Sequence, residues 1–345
     1  MALNLHHLSA YQFDLPQELI AQHPIIPRNG SRLMVVDRAR ETISEIPFYR
    51  LGELLESGDQ LVFNNTKVIP ARLLGKRSTG GNVELLLIKP LEDGLWEALS
   101  KPAKKLTVGS KLFFGEDFSA EVVEILSEGM RKVRFLYEGD FEQLLQRFGR
   151  LPLPQYIRKG VEESGDRESY QTVYAVTPGS IAAPTAGLHF TPTMLQELSA
   201  KEIEQISITL HVGIGTFRPV MSSDIREHPM HVEQVLISQE AASSLSRPQV
   251  QKRICVGTTT CRTLEALSNS EGKIPSGEFE VNPFIYPGYQ FRYVKQLLTN
   301  FHLPSSTLLM LVCAFAGYEL TMEAYAKAVK ERFRFFSYGD AMLIL

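Results

Sequence analysis

Nine apolar residues in a row, Leu308 to Ala316, mark a buried core element. The nine before them, Thr299-Asn-Phe-His-Leu-Pro-Ser-Ser-Thr307, are mostly polar and are stiffened by Pro304. Asn300, His302 and Thr307 therefore sit at the rim of a core, where packing alone has no need of them. Two further stretches repeat this pattern. Ala182-Ala-Pro-Thr-Ala-Gly-Leu-His-Phe190 places His189 between apolar neighbours, and Ile208-Thr-Leu-His-Val-Gly-Ile-Gly-Thr-Phe217 reads as a buried strand, with His211 inside it, running into a glycine loop. Polar groups at strand ends and in rigid loops are how α/β enzymes build sites.

The same patterning divides the chain. Asp14-Leu-Pro-Gln-Glu18 reads as a helix start capped by Asp14, and Gln60–Phe63 as a strand closed by the turn Asn64-Asn-Thr-Lys67. From Arg72 to Arg150 short β-rich runs recur at Val83–Ile88, Trp96–Leu99, Lys111–Phe114, Ala120–Ile125 and Lys132–Tyr137, separated by turn residues. Such spacing predicts a small antiparallel sandwich or barrel. After Pro152 the texture becomes α/β. A helix is expected over Met194–Glu204, a strand over Gln205–Val212, a short helix over Glu240–Leu245 and a buried strand over Ile254–Gly257. A turn then leads into a helix over Leu264–Ser268. A last helix is expected over Met322–Phe333, with Thr321 as its cap and apolar residues near the 3.6-residue period. The organisation expected is a discontinuous α/β domain, residues 1–67 and 151–345, with a β-barrel inserted at 68–150.

Composition narrows the class without changing this outline. The 345 residues are 44% apolar and 22% charged, ordinary for a globular protein. Net charge is −3, so any nucleic-acid surface has to be a local patch. The span 68–160 holds 15 Lys+Arg against 12 Asp+Glu, or +3, and the remainder 21 against 27, or −6. The inserted region is thus the better place for a polyanion, or else its excess charge is simply a solvated surface. Cys255, Cys261 and Cys313 are odd in number and lack metal spacing, as expected of reduced thiols in the cytoplasm. The N-terminus lacks the pattern of a signal peptide, and no run approaches the ~18–20 apolar residues of a membrane span.

Several segments carry polar chemistry. Val256-Gly-Thr-Thr-Thr-Cys-Arg262 is a strand–turn–helix junction. Its amides, with Thr258, Thr259 and Thr260, suit a carboxylate or phosphate, and Arg262 either pairs with that ligand or makes a structural ion pair. Gly213 and Gly215 permit close backbone approach to a ligand, or simply a tight turn. His228-Pro-Met-His231-Val-Glu233 invites a metal reading but does not match a zincin pattern, and no metal is expected. Tyr286, in the aromatic turn Phe284–Phe291, either stacks on a base or belongs to a core cluster. Tyr338 and Asp340 follow the apolar anchor Phe335-Phe336.

Taken together, these blocks resemble the S-adenosylmethionine:tRNA ribosyltransferase-isomerase family of queuosine synthesis. The resemblance runs through Phe13-Asp-Leu-Pro16, Gly58–Arg72, Leu151-Pro-Leu-Pro-Gln-Tyr-Ile157, Tyr170-Gln-Thr-Val-Tyr174, Ala183–Thr191, the 210–220 glycine loop, Val256–Glu265, Phe284–Phe291, Thr299–Gly317 and Phe335–Met342. It spans nearly the whole chain and is weakest in the inserted β region. Cys261 and Asn282-Pro283 depart from the family pattern without touching a residue expected to be catalytic.

The resemblance implies an α/β (α+β) fold, a large barrel-like catalytic domain with a small antiparallel β-barrel inserted. It implies transfer and isomerisation of the ribosyl moiety of S-adenosylmethionine onto 7-aminomethyl-7-deazaguanine at the tRNA anticodon wobble position. S-adenosylmethionine is then a consumed substrate, no cofactor is needed, and the chain is expected to act as a cytoplasmic monomer away from membranes. Proton transfers are expected of His189, His211 and His302, with Tyr338 and Asp340, because imidazole titrates near working pH. S-adenosylmethionine is expected at Gly213, Gly215, Thr258, Thr259, Thr260, Arg262, Tyr286 and Asn300, and tRNA at Lys67, Arg72 and Arg334. A methyltransferase fits less well, since no glycine fingerprint follows an early strand. A non-catalytic RNA-binding module fits poorly with an acidic chain rich in buried polar positions.

Overall fold

Continuous apolar runs form the first central strands of the computed structural model, which describes residues 3–92, 94–213, 220–248 and 250–345. Strand β1 (Arg32–Asp37) turns into β2 (Thr42–Pro47), and β3 (Gln60–Asn64) follows. All five residues of β3 are buried, as expected of a central strand covered on both faces. The chain continues through β4 (Thr66–Val68).

The next strands are β5 (Arg72–Arg77), β6 (Asn82–Glu92), β7 (Leu95–Lys101), β8 (Lys111–Phe113), β9 (Phe118–Ile125) and β10 (Met130–Tyr137). They pair antiparallel in the order β5-β6-β7-β10-β9-β8, and β8 pairs back with β5, so six strands close a barrel. Buried Leu73, Val83, Leu85, Leu87, Ala98, Leu112, Phe118, Ala120, Val122 and Val133 fill its interior. Helix α1 (Phe141–Phe148), capped by Asp140, and the short β11 (Gly149–Arg150), on the β5 edge, complete this part.

Helix α2 (Asp166–Ser169) and strand β12 (Thr177–Ser180) precede α3 (Pro192–Ala200), which starts at its Thr191 cap with Pro192 in the first turn. Then come β13 (Glu204–His211), β14 (Glu233–Ile237), α4 (Gln239–Leu245), β15 (Arg253–Val256), α5 (Thr258–Leu267), β16 (Gly277–Val281) and β17 (Gln296–Asn300). Helices α6 (Thr307–Ala316) and α7 (Tyr318–Lys330) and strand β18 (Ala341–Ile344) end the chain. The large sheet runs β16-β14-β13-β3-β15-β17-β18-β1-β2. Strands β13, β3, β15 and β17 are mutually parallel, whereas β18 and β1 run opposite to β17. The end strands β16 and β2 are not paired to each other, so this sheet is open. On one face Leu33, Phe48, Leu61, Phe63, Phe190, Met194, Leu198, Ile254, Val256, Leu298 and Leu343 form a common core.

The chain divides into two compact units, one of Met1–Thr66, Ser169–Thr177 and Ala183–Leu345, the other of Lys67–Glu168 and Pro178–Ala182. Residues 151–168 thus go with the barrel, later than the boundary expected at 150. The reason is polar. Arg167 donates to the Gly149 carbonyl at 2.8 Å, Leu151 N–H to Glu162 at 3.1 Å, and Arg72 to the Gly160 carbonyl at 2.6 Å.

Other expectations shift. Asp14 caps nothing, because only a 3-10 turn, Gln17–Leu19, forms there and Pro16 stands at its cap position. The nine-residue apolar run is indeed the buried helix α6. It bends by 118° into α7 at Gly317, whose φ of 90° suits glycine. Helix α7 therefore begins at Tyr318, and Thr321, expected as a cap, bonds back to the Gly317 carbonyl at 2.7 Å instead. Among the described residues no single helix is long and apolar enough to cross a membrane.

Candidate active site

Sheet polarity gathers the polar segments. The carboxyl ends of β13, β3, β15 and β17 share one edge of the large sheet, and the antiparallel start of β18 and the start of β1 join them there. That edge carries Ser31, Asn64–Thr66, His211–Gly213, Gly257–Thr260, Asn300–His302 and Tyr338–Asp340. In open α/β sheets this is the edge where ligands bind.

Around β13 the geometry is set by Asn64. Its amide donates to the Leu210 carbonyl at 2.9 Å and its Oδ1 accepts from Leu210 N–H at 3.0 Å and Thr66 N–H at 3.1 Å. Thr66 Oγ1 then meets His211 Nδ1 at 2.8 Å. His211 is half-buried, and burial lowers its pKa, so the ring is neutral near pH 7. Its Nε2 has no hydrogen-bond partner among the described residues. His211 also lines an open cleft with Thr177, Thr209, Gln234 and Glu278. Gly213 follows after Val212, and Gly215 lies outside the described residues.

His189 belongs to a different arrangement. It is buried, stacked on Phe48 with ring centroids 4.9 Å apart. Asn300 Nδ2 donates to the Phe336 carbonyl at 3.2 Å, which fixes the amide orientation, and it lies 3.0 Å from His189 Nε2. His189 Nε2 is thus the acceptor, and Nδ1 carries the proton toward Ser31 Oγ at 2.7 Å. Burial, with the Arg334 and Arg28 charges, pushes the His189 pKa down to about 3. Asn300 Oδ1 is buried with no partner among the described residues.

His302, also expected among the proton-transfer residues, is buried with its ring nitrogen engaged. Its Nε2 meets Thr299 Oγ1 at 2.9 Å, its N–H bonds Tyr325 Oη at 2.9 Å, and burial puts its pKa at about 3. Asp340 is a brace. Its carboxylate takes the Arg32 N–H at 2.9 Å and the Arg334 N–H at 2.7 Å, tying β1 to the turn before β18. Burial raises its pKa against those two bonds. Tyr338 is buried, edge-on to Tyr170, with its hydroxyl 3.4 Å from Ser169 Oγ.

Helix α5 starts at Gly257, whose φ is 97°, and no side chain caps it. Thr260 Oγ1 bonds the Val256 carbonyl at 2.9 Å, leaving the first-turn amides of Thr258, Thr259 and Thr260 to point along the helix dipole. Arg262 is engaged close by, with its Nε buried and without a partner among the described residues. Its Nη2 makes a buried ion pair with Glu233 at 2.6 Å, the structural alternative. Burial raises the Glu233 pKa while Arg262 and His231 oppose it. This pair lines a small pocket with Gly213, His228, His231 and Thr307. The aromatic turn comes up beside His228. Phe284 lies edge-on to His228 at 5.7 Å and to Tyr286 at 5.1 Å, and Tyr286 to His6 at 6.1 Å.

The basic residues expected to meet tRNA are mostly engaged. Arg72 pairs with Glu84 at 3.0 Å, and Arg334 donates to the His23 carbonyl. Lys67 is exposed. No group of three potential metal ligands occurs among the described residues. Sequence reading missed Ser31, which carries no local signal, and the Glu233–Arg262 pair, whose members lie 29 positions apart and meet only through the sheet.

An open α/β sheet with a polar carboxyl edge and an inserted antiparallel barrel defines a two-unit enzyme of the ligand-at-the-strand-ends class. The chain belongs to the queuosine biosynthesis protein family, whose model matches residues 8–344. A relative in Clostridioides difficile, named S-adenosylmethionine:tRNA ribosyltransferase-isomerase, is 50% identical over 338 residues, covering 97% of this chain and 98% of that one. One of the same name in Symbiobacterium thermophilum is 52% identical over 342 residues, covering 98% and 99%. The crystal structure of an S-adenosylmethionine tRNA ribosyltransferase from Thermotoga maritima matches with a TM-score of 0.55 at 38% identity, covering 97% of this chain and all of that one.

Proposed function

We infer that this chain transfers and isomerises the ribosyl moiety of S-adenosylmethionine onto 7-aminomethyl-7-deazaguanine at the tRNA wobble position, yielding epoxyqueuosine-tRNA and releasing adenine and methionine. The observation that carries this reading is the end-to-end match to relatives of that name, over 97% of the chain or more.

The residues meet the demands of such chemistry. The sulfonium acidifies the ribosyl 5′ hydrogens beside it, so a neutral imidazole suffices to remove one. His211 is our choice for that base. It is neutral, oriented through Nδ1 by Thr66, and its Nε2 is uncommitted. His189, held neutral with Nε2 already accepting from Asn300, is a positioning residue. Asn300 Oδ1 is free to accept a hydrogen bond from the donor's hydroxyls or adenine. The amides of Thr258–Thr260 suit the methionine carboxylate. Gly213, Arg262 and Tyr286 line that end of the sheet without binding roles of their own being required. S-adenosylmethionine is consumed, and neither a metal nor a separate cofactor enters. The protein acts as a cytoplasmic monomer.

Product analysis with S-adenosylmethionine and tRNA carrying the modified base tests this. Free adenine and methionine in equal amounts are expected. S-adenosylhomocysteine would mean methyl transfer, and the reading would fall.

A further inference from the structure

The barrel carries its charge at its two ends. Because its strands alternate in direction, the turns after β5, β7 and β9 share one end and the turns after β6, β8 and β10 share the other. The chain also enters at Arg72 and leaves at Gly149–Arg150 on that second end. Around the first end stand Lys76, Arg77, Lys101, Lys104, Lys105 and Lys111, with Glu128 in the same set of turns and with Glu84 and Glu121 opposite Lys101 and Lys111 in the strand register. Around the second stand Glu92, Glu116, Asp117, Glu138, Asp140 and Glu142, together with Arg72, Arg147 and Arg150. Just inside the basic rim Lys132 and Glu124 neutralise each other at 2.7 Å, and at the acidic end Glu92 pairs with Arg134 at 3.1 Å. None of the six rim cations forms an ion pair with a carboxylate among the described residues, and the five lysines are exposed.

The densest part of the rim is rigid. Arg131 is 5% exposed and spends its guanidinium on three backbone carbonyls, Ala103 at 2.5 Å, Leu106 at 3.1 Å and Met130 at 2.7 Å. A buried arginine is thereby used to hold the turn that displays Lys101, Lys104 and Lys105. Next to it in the β5–β8 pairing, Lys76 sits opposite Phe113, an aromatic ring left 45% exposed. Unpaired cations on a fixed frame, with an exposed ring among them, are what a sugar–phosphate chain with an accessible base requires.

We propose that this basic rim of the barrel holds the RNA backbone of the tRNA substrate, a role that rests on reading tRNA as the substrate. Binding of full-length tRNA is measured against salt for the wild type and for a Lys101→Ala/Lys104→Ala/Lys105→Ala variant. The variant's Kd should rise roughly 10- to 100-fold at low salt, and its log Kd against log salt should flatten by about 2–3. Its turnover at saturating tRNA should match wild type. Glu116→Gln/Asp117→Asn, at the acidic end, should leave binding within about twofold. A folded triple variant with wild-type Kd and salt slope overturns the proposal, and so does a wild-type protein whose tRNA binding ignores salt. Adenine release by the wild type, measured alongside, separates the two readings. Salt-dependent binding lost in the triple variant, without adenine release, supports the rim and removes the reaction.

Discussion

The two units use polar residues in opposite ways. At the carboxyl edge of the large sheet they are buried and bonded to one another, as in Ser31–His189–Asn300 and Glu233–Arg262. At the basic end of the barrel they are exposed and unpaired. Burial gives fixed geometry and shifted proton affinity at a high cost in desolvation. Exposure gives charge that acts at a distance and is screened by salt. A reaction on a small donor needs the first, and holding a polyanion needs the second.

The contrast breaks most sharply at Glu233. Glu233→Ala leaves Arg262 charged and buried, and should cost about 3–5 kcal/mol. Replacing both, Glu233→Ala with Arg262→Met, should recover much of that. Urea unfolding of the two variants checks it, and an equal loss in both would show that the pair's charges do not interact. At the barrel rim, by comparison, single lysine replacements should stay within about 0.5 kcal/mol of wild type.

Acid sharpens the same comparison. His189 and His302 have folded pKa values near 3, against about 6.5 unfolded. Above pH 6.5 neither state takes a proton there, and these groups contribute nothing to the pH dependence. As pH falls from 6.5 toward 3 the unfolded chain binds protons that the folded chain refuses, so stability is lost, by up to about 1.4 kcal/mol per pH unit for each histidine. His302→Gln should flatten the stability profile between pH 6 and 4 by about one proton. An unchanged slope would mean that His302 is protonated in the folded state.

The smallest effect concerns orientation. Thr66→Val removes the partner of His211 Nδ1 and should lower the catalytic constant by roughly tenfold, the worth of one hydrogen bond. The pH–rate profile should move with it, while the melting temperature changes little. A purely structural Thr66 would do the reverse.

Much of this was legible in the sequence. The barrel strands, the buried β3 and the apolar α6 follow from local patterning, because alternation and run length report burial directly. The polar segments at strand ends were also readable, since packing gives no reason for Asn300 or His211. What each does was not. His302 and His189 carry the same local signature as His211, and only the folded structure shows the first ring bonded to Thr299 and the second held against Ser31. Arg262 read equally as a ligand clamp or an ion pair, because Glu233 reaches it through sheet pairing. The start of α7 was misplaced because Gly317 redirects the chain, while Thr321 supplied a false cap.

The central claim is that proton transfer at the sheet edge belongs to His211 and that His189 and His302 hold structure. Single-turnover adenine release, with S-adenosylmethionine affinity measured by titration calorimetry, tests it on His211→Gln and His302→Gln. His211→Gln should slow the chemical step by ~10²–10⁴-fold with donor affinity intact. His302→Gln should lower the melting temperature and leave the rate of folded protein within a few-fold of wild type. A His211→Gln protein that turns over at the wild-type rate would contradict the account.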